Sequence, residues 1–165
     1  MKIISISNQK GGVGKTTTAV NLAQAIAATN RKTLLIDLDP QGNASTASGA
    51  TKNNSLFETT LGKHASELIQ TSSNQYDVLA GGEDLVALEV ALRNNPTKGH
   101  IAKSLKELDY DFVFIDTPPS LNSLTLDALI SSDGTLIPLQ CEYYSLEGIT
   151  SLVNTINELT NSGLT

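Results

Sequence analysis

Residues 2 to 18 read KIISISNQKGGVGKTTT, and the parsing of this stretch decides the fold. Residues 2 to 7 are short, rich in β-branched side chains and soon followed by glycines, which is how a buried strand entering a turn reads. After the glycines, TTTAVNLAQAIAAT (16 to 29) carries apolar residues at helical spacing. Strand, glycine loop, helix is the context in which a phosphate-binding loop operates. The common spelling of that loop is G-x-x-x-x-G-K-[ST]. Here Gly14, Lys15 and Thr16 supply its end, Gln9 stands where the first glycine is expected, and Lys10 is an added cation beside it. Gly11, Gly12 and Gly14, with Val13 between them, let the backbone turn its N–H groups inward with no Cβ in the way. The helix beginning near Lys15 adds its own N-terminal donors and dipole. In this reading Lys15 reaches the β- and γ-phosphates of a nucleotide and the Thr16 hydroxyl ligates Mg²⁺.

The rest of the chain fits one domain. A length of 165 residues is enough for a substantial core and too short for two ordinary domains. Eleven Lys plus Arg against seventeen Asp plus Glu give a formal net charge of −6, the wrong sign for a chain that coats itself in nucleic acid, and no basic patch is visible. Cys141 is the sole cysteine, so neither an intramolecular disulfide nor a CxxC metal site can form, and a reducing, cytoplasmic setting fits. The opening MKIISIS is broken by Ser5, Ser7 and Asn8 before a signal-peptide core develops. No later run has the length and apolarity of a membrane span.

Further strands are expected at 33 to 38 (TLLIDL), 76 to 81 (YDVLAG), 111 to 119 (DFVFIDTPP) and 135 to 140 (TLIPLQ). Helices are expected at 83 to 94, 98 to 108, 121 to 131 and 145 to 160. Residues 41 to 75 are rich in Ser, Thr, Asn and Gly and suggest only short helical pieces at 44 to 49 and 64 to 70. Alternating strands and helices predict an α/β fold, a mostly parallel sheet with right-handed crossovers and helices on both faces. After a helix-capping Gly163 the sequence runs into Leu164-Thr165 as though another strand were starting, so we expect an N-terminal portion of a longer protein, lacking its C-terminal strands and helices.

Two strand ends carry carboxylates where open α/β sheets place their ligands. Asp116 follows four apolar residues, Phe112 to Ile115, the Walker B arrangement of an aspartate near the Mg²⁺. Asp37 and Asp39 alternate along extended chain, so both can face one side, toward the magnesium and an attacking water. Their mutual repulsion would be relieved by a cation between them. The competing reading is a turn opened by Asp39-Pro40.

Four segments in this order, KGGVGKTT (10 to 17), DLDPQGN (37 to 43), FIDTPPS (114 to 120) and QCEYYSLEG (140 to 148), resemble the ParA family of partition ATPases, including its chromosomal Soj members. These belong to the deviant Walker A class of P-loop proteins, with MinD and the nitrogenase iron protein. The resemblance implies a slow, Mg²⁺-dependent ATPase. It assigns Gly11 to Thr17, hence Gly11, Gly12, Val13, Gly14, Lys15, Thr16 and Thr17, to the phosphate loop. Lys10 matches the signature lysine that crosses a nucleotide-sandwich homodimer to the partner's phosphates. Asp39 matches the aspartate that positions the hydrolytic water, Asp37 lies near the metal in the same segment, and Asp116 occupies the Walker B position. Gln140 and Glu142 belong to a further family motif whose role here stays open. Implied partners are a ParB-like centromere-binding protein that stimulates hydrolysis and, for the full-length protein, nonspecific nucleoid DNA. Family members continue well past residue 165 into the DNA-contacting surface, so this portion alone is expected to bind DNA weakly.

The trans role of Lys10 agrees with the chemistry, because phosphoryl transfer is helped by positive charge brought to the transferring oxygens. A solvated surface lysine is the alternative. His64 and His100 read as solvated, Cys141 as a small packing residue, and Tyr143 and Tyr144 as packing side chains. Leu146, Ile149, Leu152, Val153, Ile156 and Leu159 form a core-facing stripe without the basic flank of a membrane anchor. Two rivals remain, a MinD-like membrane-cycling ATPase and a nonhydrolysing module in which ATP only glues a dimer.

Overall fold

A computed structural model describes residues 1–52, 55–94, 99–141 and 145–163, the side chains of 145–148 excepted. Among the described residues six strands form a single sheet: β1 (Lys2–Ile6), β2 (Thr33–Asp37), β3 (Ile69–Thr71), β4 (Asp77–Leu79), β5 (Phe112–Asp116) and β6 (Gly134–Leu136). Their spatial order is β3-β4-β2-β5-β1-β6. Every neighbouring pair is parallel except β3 with β4, which is antiparallel. The mostly parallel α/β architecture expected from the alternating pattern is the one observed.

Alternation along the central strands sorts their side chains into two cores, as the period of two demands. Leu34, Ile36, Val113 and Ile115 face α3 (Leu85–Asn94), α4 (His100–Ser104) and α5 (Ser123–Ser131), meeting Leu85, Leu88, Ile101 and Leu124. On the other face Ile6, Leu35, Val78 and Phe114 pack against α1 (Lys15–Ala27) and α2 (Asn43–Ala47). The sheet-facing side of α1 is built from Ala19, Ala23 and Ala27, spaced four apart and all buried, so the helix lies close against the strands.

Register sets the chemistry. Ile6 pairs with Asp116 across β1 and β5, and Asp37 pairs with Asp116 across β2 and β5, so the two aspartates end neighbouring strands at one level. Strand β1 delivers the glycine loop to that same edge.

Three expectations are corrected. The stretch proposed as helical at 64 to 70 holds a 3-10 turn, Ala65–Glu67, and then β3, whose antiparallel pairing could not be read from a three-residue strand. The strand expected at 135 to 140 runs instead from Gly134 to Leu136, and Pro138 just beyond it has no N–H to donate to a ladder. In α6 (Ser145–Asn161), Leu152 is fully buried, whereas Val153 is 38 % exposed, so the stripe is narrower than its spacing suggested. Leu146 falls outside the described side chains. Among the described residues no helix is long and apolar enough to cross a membrane.

Candidate functional site

The loop from Asn8 to Gly14 is shaped by its own sequence. Asn8 is buried, donates through Nδ2 to the Pro138 carbonyl (2.8 Å), and accepts the Lys10 amide on Oδ1 (2.9 Å). Gly12 and Gly14 have φ of 74° and 90°, conformations in which a Cβ is strained. Cβ atoms placed on Gly11, Gly12 or Gly14 would meet nothing within 4 Å, so the strand-to-helix turn encloses open space. Val13, between Gly12 and Gly14, is buried. The helix cap is Gly14 itself, with no side chain covering the first amides of α1.

Lys15 is the first residue of α1 and is 7 % exposed, with its ammonium on the Lys10 carbonyl at 3.2 Å. Burial lowers its pKa, and the negative charges of Asp116 and Asp39 work against that shift. Thr16 donates its hydroxyl to Asp116 Oδ2 at 2.7 Å. The other oxygen, Asp116 Oδ1, is buried without a hydrogen-bond partner. Burial pushes the Asp116 carboxyl up to about 7; the Thr16 hydrogen bond and Lys15 oppose this, while Asp37 and Asp39 add to it.

Gly11, Gly12, Gly14, Lys15, Thr16, Thr17, Asp39, Gln41, Asn43 and Pro119 line a cavity of about 450 Å³, within the range of small-ligand sites. Of the residues read from sequence, Gly11, Gly12, Gly14, Lys15, Thr16, Thr17 and Asp39 line this cavity, whereas Lys10, Val13, Asp37 and Asp116 are not among its lining. Asp37 is adjacent in register but fully buried, with Oδ2 accepting the Ser45 amide and hydroxyl and Oδ1 accepting the Asp39 amide. Gln140 donates through Nε2 to the Gly12 carbonyl at 3.2 Å, which ties the family motif after β6 to the phosphate loop. Glu142, Tyr143 and Tyr144 lie outside the described residues.

These residues fit a nucleotide with its magnesium. An orphaned buried carboxylate oxygen beside a hydroxyl is an all-oxygen donor set suited to a hard cation. Among the described residues no group of three or more His, Cys, Asp or Glu could cage an ion alone.

Sequence reading missed three contributors. Ser45, Gly81 and Lys52 close around the turn after β2, and their only signal was a small residue eight positions beyond Asp37 and a Gly-Gly pair at a strand's end. Other expectations change as well. His64 and His100 are not isolated: with Lys63, Lys103, Lys106 and Glu107 they line one cavity of about 320 Å³. His100 is half-buried and its Nε2 meets the Thr59 hydroxyl at 2.9 Å. The three lysines are separated in sequence, and their charge is partly offset by Glu107 and by Glu58, which pairs with Lys63 at 2.9 Å. Cys141 is exposed rather than packed.

Comparison with known proteins follows the same lines. The profile of an AAA domain family, AAA_31, matches residues 1–164. The chain is 46 % identical over 171 residues to the chromosome partitioning protein ParA of Myxococcus xanthus, covering 99 % of this chain and 60 % of that one. It is 41 % identical over 156 residues to the chromosome-partitioning ATPase Soj of Thermus thermophilus, covering 94 % and 61 %. Among solved structures, cobyrinic acid a,c-diamide synthase from Mycobacterium smegmatis, with bound ATP analogue and magnesium, superposes with a TM-score of 0.91 at 32 % identity, covering 98 % of this chain and 69 % of that one. The chain spans about three fifths of the length of the curated relatives it matches. By sequence the chain belongs to this AAA domain family, and within it is similar to the ParA and Soj chromosome-partitioning proteins.

Proposed function

We propose that this chain is the nucleotide-binding part of a Mg²⁺-dependent ATPase that acts in plasmid or chromosome partitioning through an ATP-sandwich dimer. The observation that carries the reading is the buried, unpartnered Asp116 Oδ1, on the carboxylate whose Oδ2 accepts the Thr16 hydroxyl, while Thr16 and Lys15 themselves line the cavity at the glycine loop. Gly11 to Thr17 bind the phosphates through main-chain N–H groups, and Lys15 turns its ammonium from the Lys10 carbonyl to phosphate oxygen. Thr16 and Asp116 hold the cation. Bound with ATP, magnesium neutralises phosphate charge and lowers the barrier to attack. Asp39, on the cavity wall, orients the attacking water and Asp37 supports it from the adjoining strand end.

Lys10 stands beside the loop as a second cation, and its proposed task is to reach the phosphates bound by the partner subunit, as a finger supplied in trans does. Hydrolysis is slow until a ParB-like protein engages the dimer. The full-length protein works on nonspecific nucleoid DNA in the cytoplasm and not at a membrane, while residues 1–165 alone bind DNA weakly.

Single-turnover hydrolysis tests the enzyme reading. We expect magnesium-dependent phosphate release that Asp39→Ala abolishes while ATP still binds. Tight ATP binding with no phosphate release in either form would leave ATP as dimer glue and end the enzymatic reading. If Lys10→Ala keeps both ATP-dependent dimerisation and turnover, the trans role is wrong. A salt-sensitive shift of bulk DNA by these residues alone would contradict weak DNA binding.

A further inference from the structure

We propose that Ser45 is a positioning residue for hydrolysis: with the Gly81 amide it clasps the Asp37 carboxylate, and through it fixes Asp39 against the phosphate cavity. The inference rests on the ATPase reading above. Its basis is a closed set of contacts at a place where three segments cross. The Gly81 amide donates to Ser45 Oγ at 2.8 Å, and that hydroxyl donates onward to Asp37 Oδ2 at 2.7 Å. One hydroxyl thereby uses its single proton and accepts a buried amide. The Ser45 amide also reaches Asp37 Oδ2 at 2.8 Å. Asp37 Oδ1 accepts the Asp39 amide at 3.1 Å, and the Asp39 carbonyl accepts the Gly42 amide at 2.8 Å.

Steric evidence points the same way. A Cβ on Gly81 would lie 2.7 Å from the Asp39 carbonyl oxygen and 2.9 Å from both Asp37 Cγ and the Asp37 carbonyl oxygen. No side chain fits there unless main chain moves. Lys52 closes the outer side by donating to the Gln41 carbonyl at 2.6 Å. Asp39 itself accepts the Gln41 amide on Oδ1 at 2.9 Å and lines the phosphate cavity. Ser45 is fully buried and does not line that cavity, so it acts through Asp37 and Asp39.

The distinction from a merely structural serine lies in which measurement moves. Removing the hydroxyl leaves the Gly81 amide buried without an acceptor and Asp37 Oδ2 with one donor instead of two, so the Asp39 turn loosens while the phosphate loop is untouched. A displacement near 1 Å at such a point costs about a hundredfold in rate.

The test uses the protein at its natural length and compares wild type, Ser45→Ala and Ser45→Thr. Hydrogen exchange without nucleotide should show faster exchange at the amides of Asp39 and Gly42 in Ser45→Ala. With Mg²⁺–ATP, kcat should fall on the order of 10- to 100-fold, with affinity for a fluorescent ATP analogue held within about twofold of wild type. Ser45→Thr, which keeps the hydroxyl, should recover most of kcat. A Ser45→Ala protein that melts lower yet keeps kcat within about twofold overturns the inference and leaves the ATPase reading standing. Equal loss of affinity and kcat also overturns it, since Ser45 would then act on binding. No magnesium-dependent turnover in wild type removes the ATPase reading and this inference with it.

Discussion

The loop after β1 and the turn after β2 leave the sheet at the same level, yet they are built on opposite plans. The first keeps its main-chain donors open around Gly11, Gly12 and Gly14, with empty space where side chains would be. The second closes on itself, spending Asp37, Asp39 and Ser45 on internal hydrogen bonds and admitting Gly81 only because it lacks a Cβ. One turn is organised to receive charge from outside, the other to hold a carboxylate still. Both functions need glycine, for different physical reasons: backbone conformation in the loop, close approach at the clasp.

The largest effect that would break this contrast is at Lys15. Truncation to Ala removes the buried cation of the open loop, which should cost about 2–5 kcal/mol of nucleotide binding, roughly 30-fold or more in Kd by calorimetry. Thermal stability should change little by comparison, because the Lys15 ammonium meets a backbone carbonyl rather than an ion pair partner at contact distance. A full-strength binding curve in Lys15→Ala would mean the loop does not hold the nucleotide.

A paired substitution sharpens the contrast. Gly81→Ala collides with main chain and should destabilise the fold by about 1–3 kcal/mol, lowering Tm by several degrees, with nucleotide affinity nearly kept. Gly12→Ala meets no atom but must hold φ near 74°, a strain of about 1–2 kcal/mol. That strain should appear as weaker nucleotide binding as the loop reshapes. If both variants show the same ratio of lost affinity to lost Tm, the two turns are not separate devices.

The smallest effect lies away from both turns. Burial holds the His100 pKa below its ordinary 6.5, with Lys103 acting in the same direction and Asp127 against it. The unfolded chain therefore takes up this proton more readily than the folded one. Its contribution to stability is intact above about pH 6.5 and declines as pH falls through that value toward the folded pKa. Between about pH 7.5 and 5.5, Tm of the wild type should fall slightly more than that of His100→Gln. Equal slopes would place the acid sensitivity elsewhere.

Legibility in the sequence follows the range of the interactions. The phosphate loop is local: strand, glycines and helix lie within one continuous stretch, so Gly11 to Thr17 could be placed by reading alone. Asp116 was legible because four apolar residues announce a buried strand and a charge at its end is conspicuous. The clasp was not, because Ser45 and Gly81 are 36 residues apart and neither residue type is unusual where it stands. Strand β3 escaped because three residues carry too little periodicity to outweigh a polar neighbourhood. The gathering of His64, His100 and three lysines depends on two segments meeting across the surface, which no spacing records.

The alanines beneath α1 set a mechanical tolerance. Ala19, Ala23 and Ala27 are the buried apolar residues of that helix, with Val20, Leu22 and Ile26 packed at their flanks, and Lys15 and Thr16 open its first turn. They work as a shim under a rigid rod. A thicker side chain at 19 would lift the end that bears Lys15, while the same bulk at 27 would raise the far end and pivot the rod about a fixed loop. The alignment of the Thr16 hydroxyl with Asp116 is thus gauged by methyl groups that do not line the cavity.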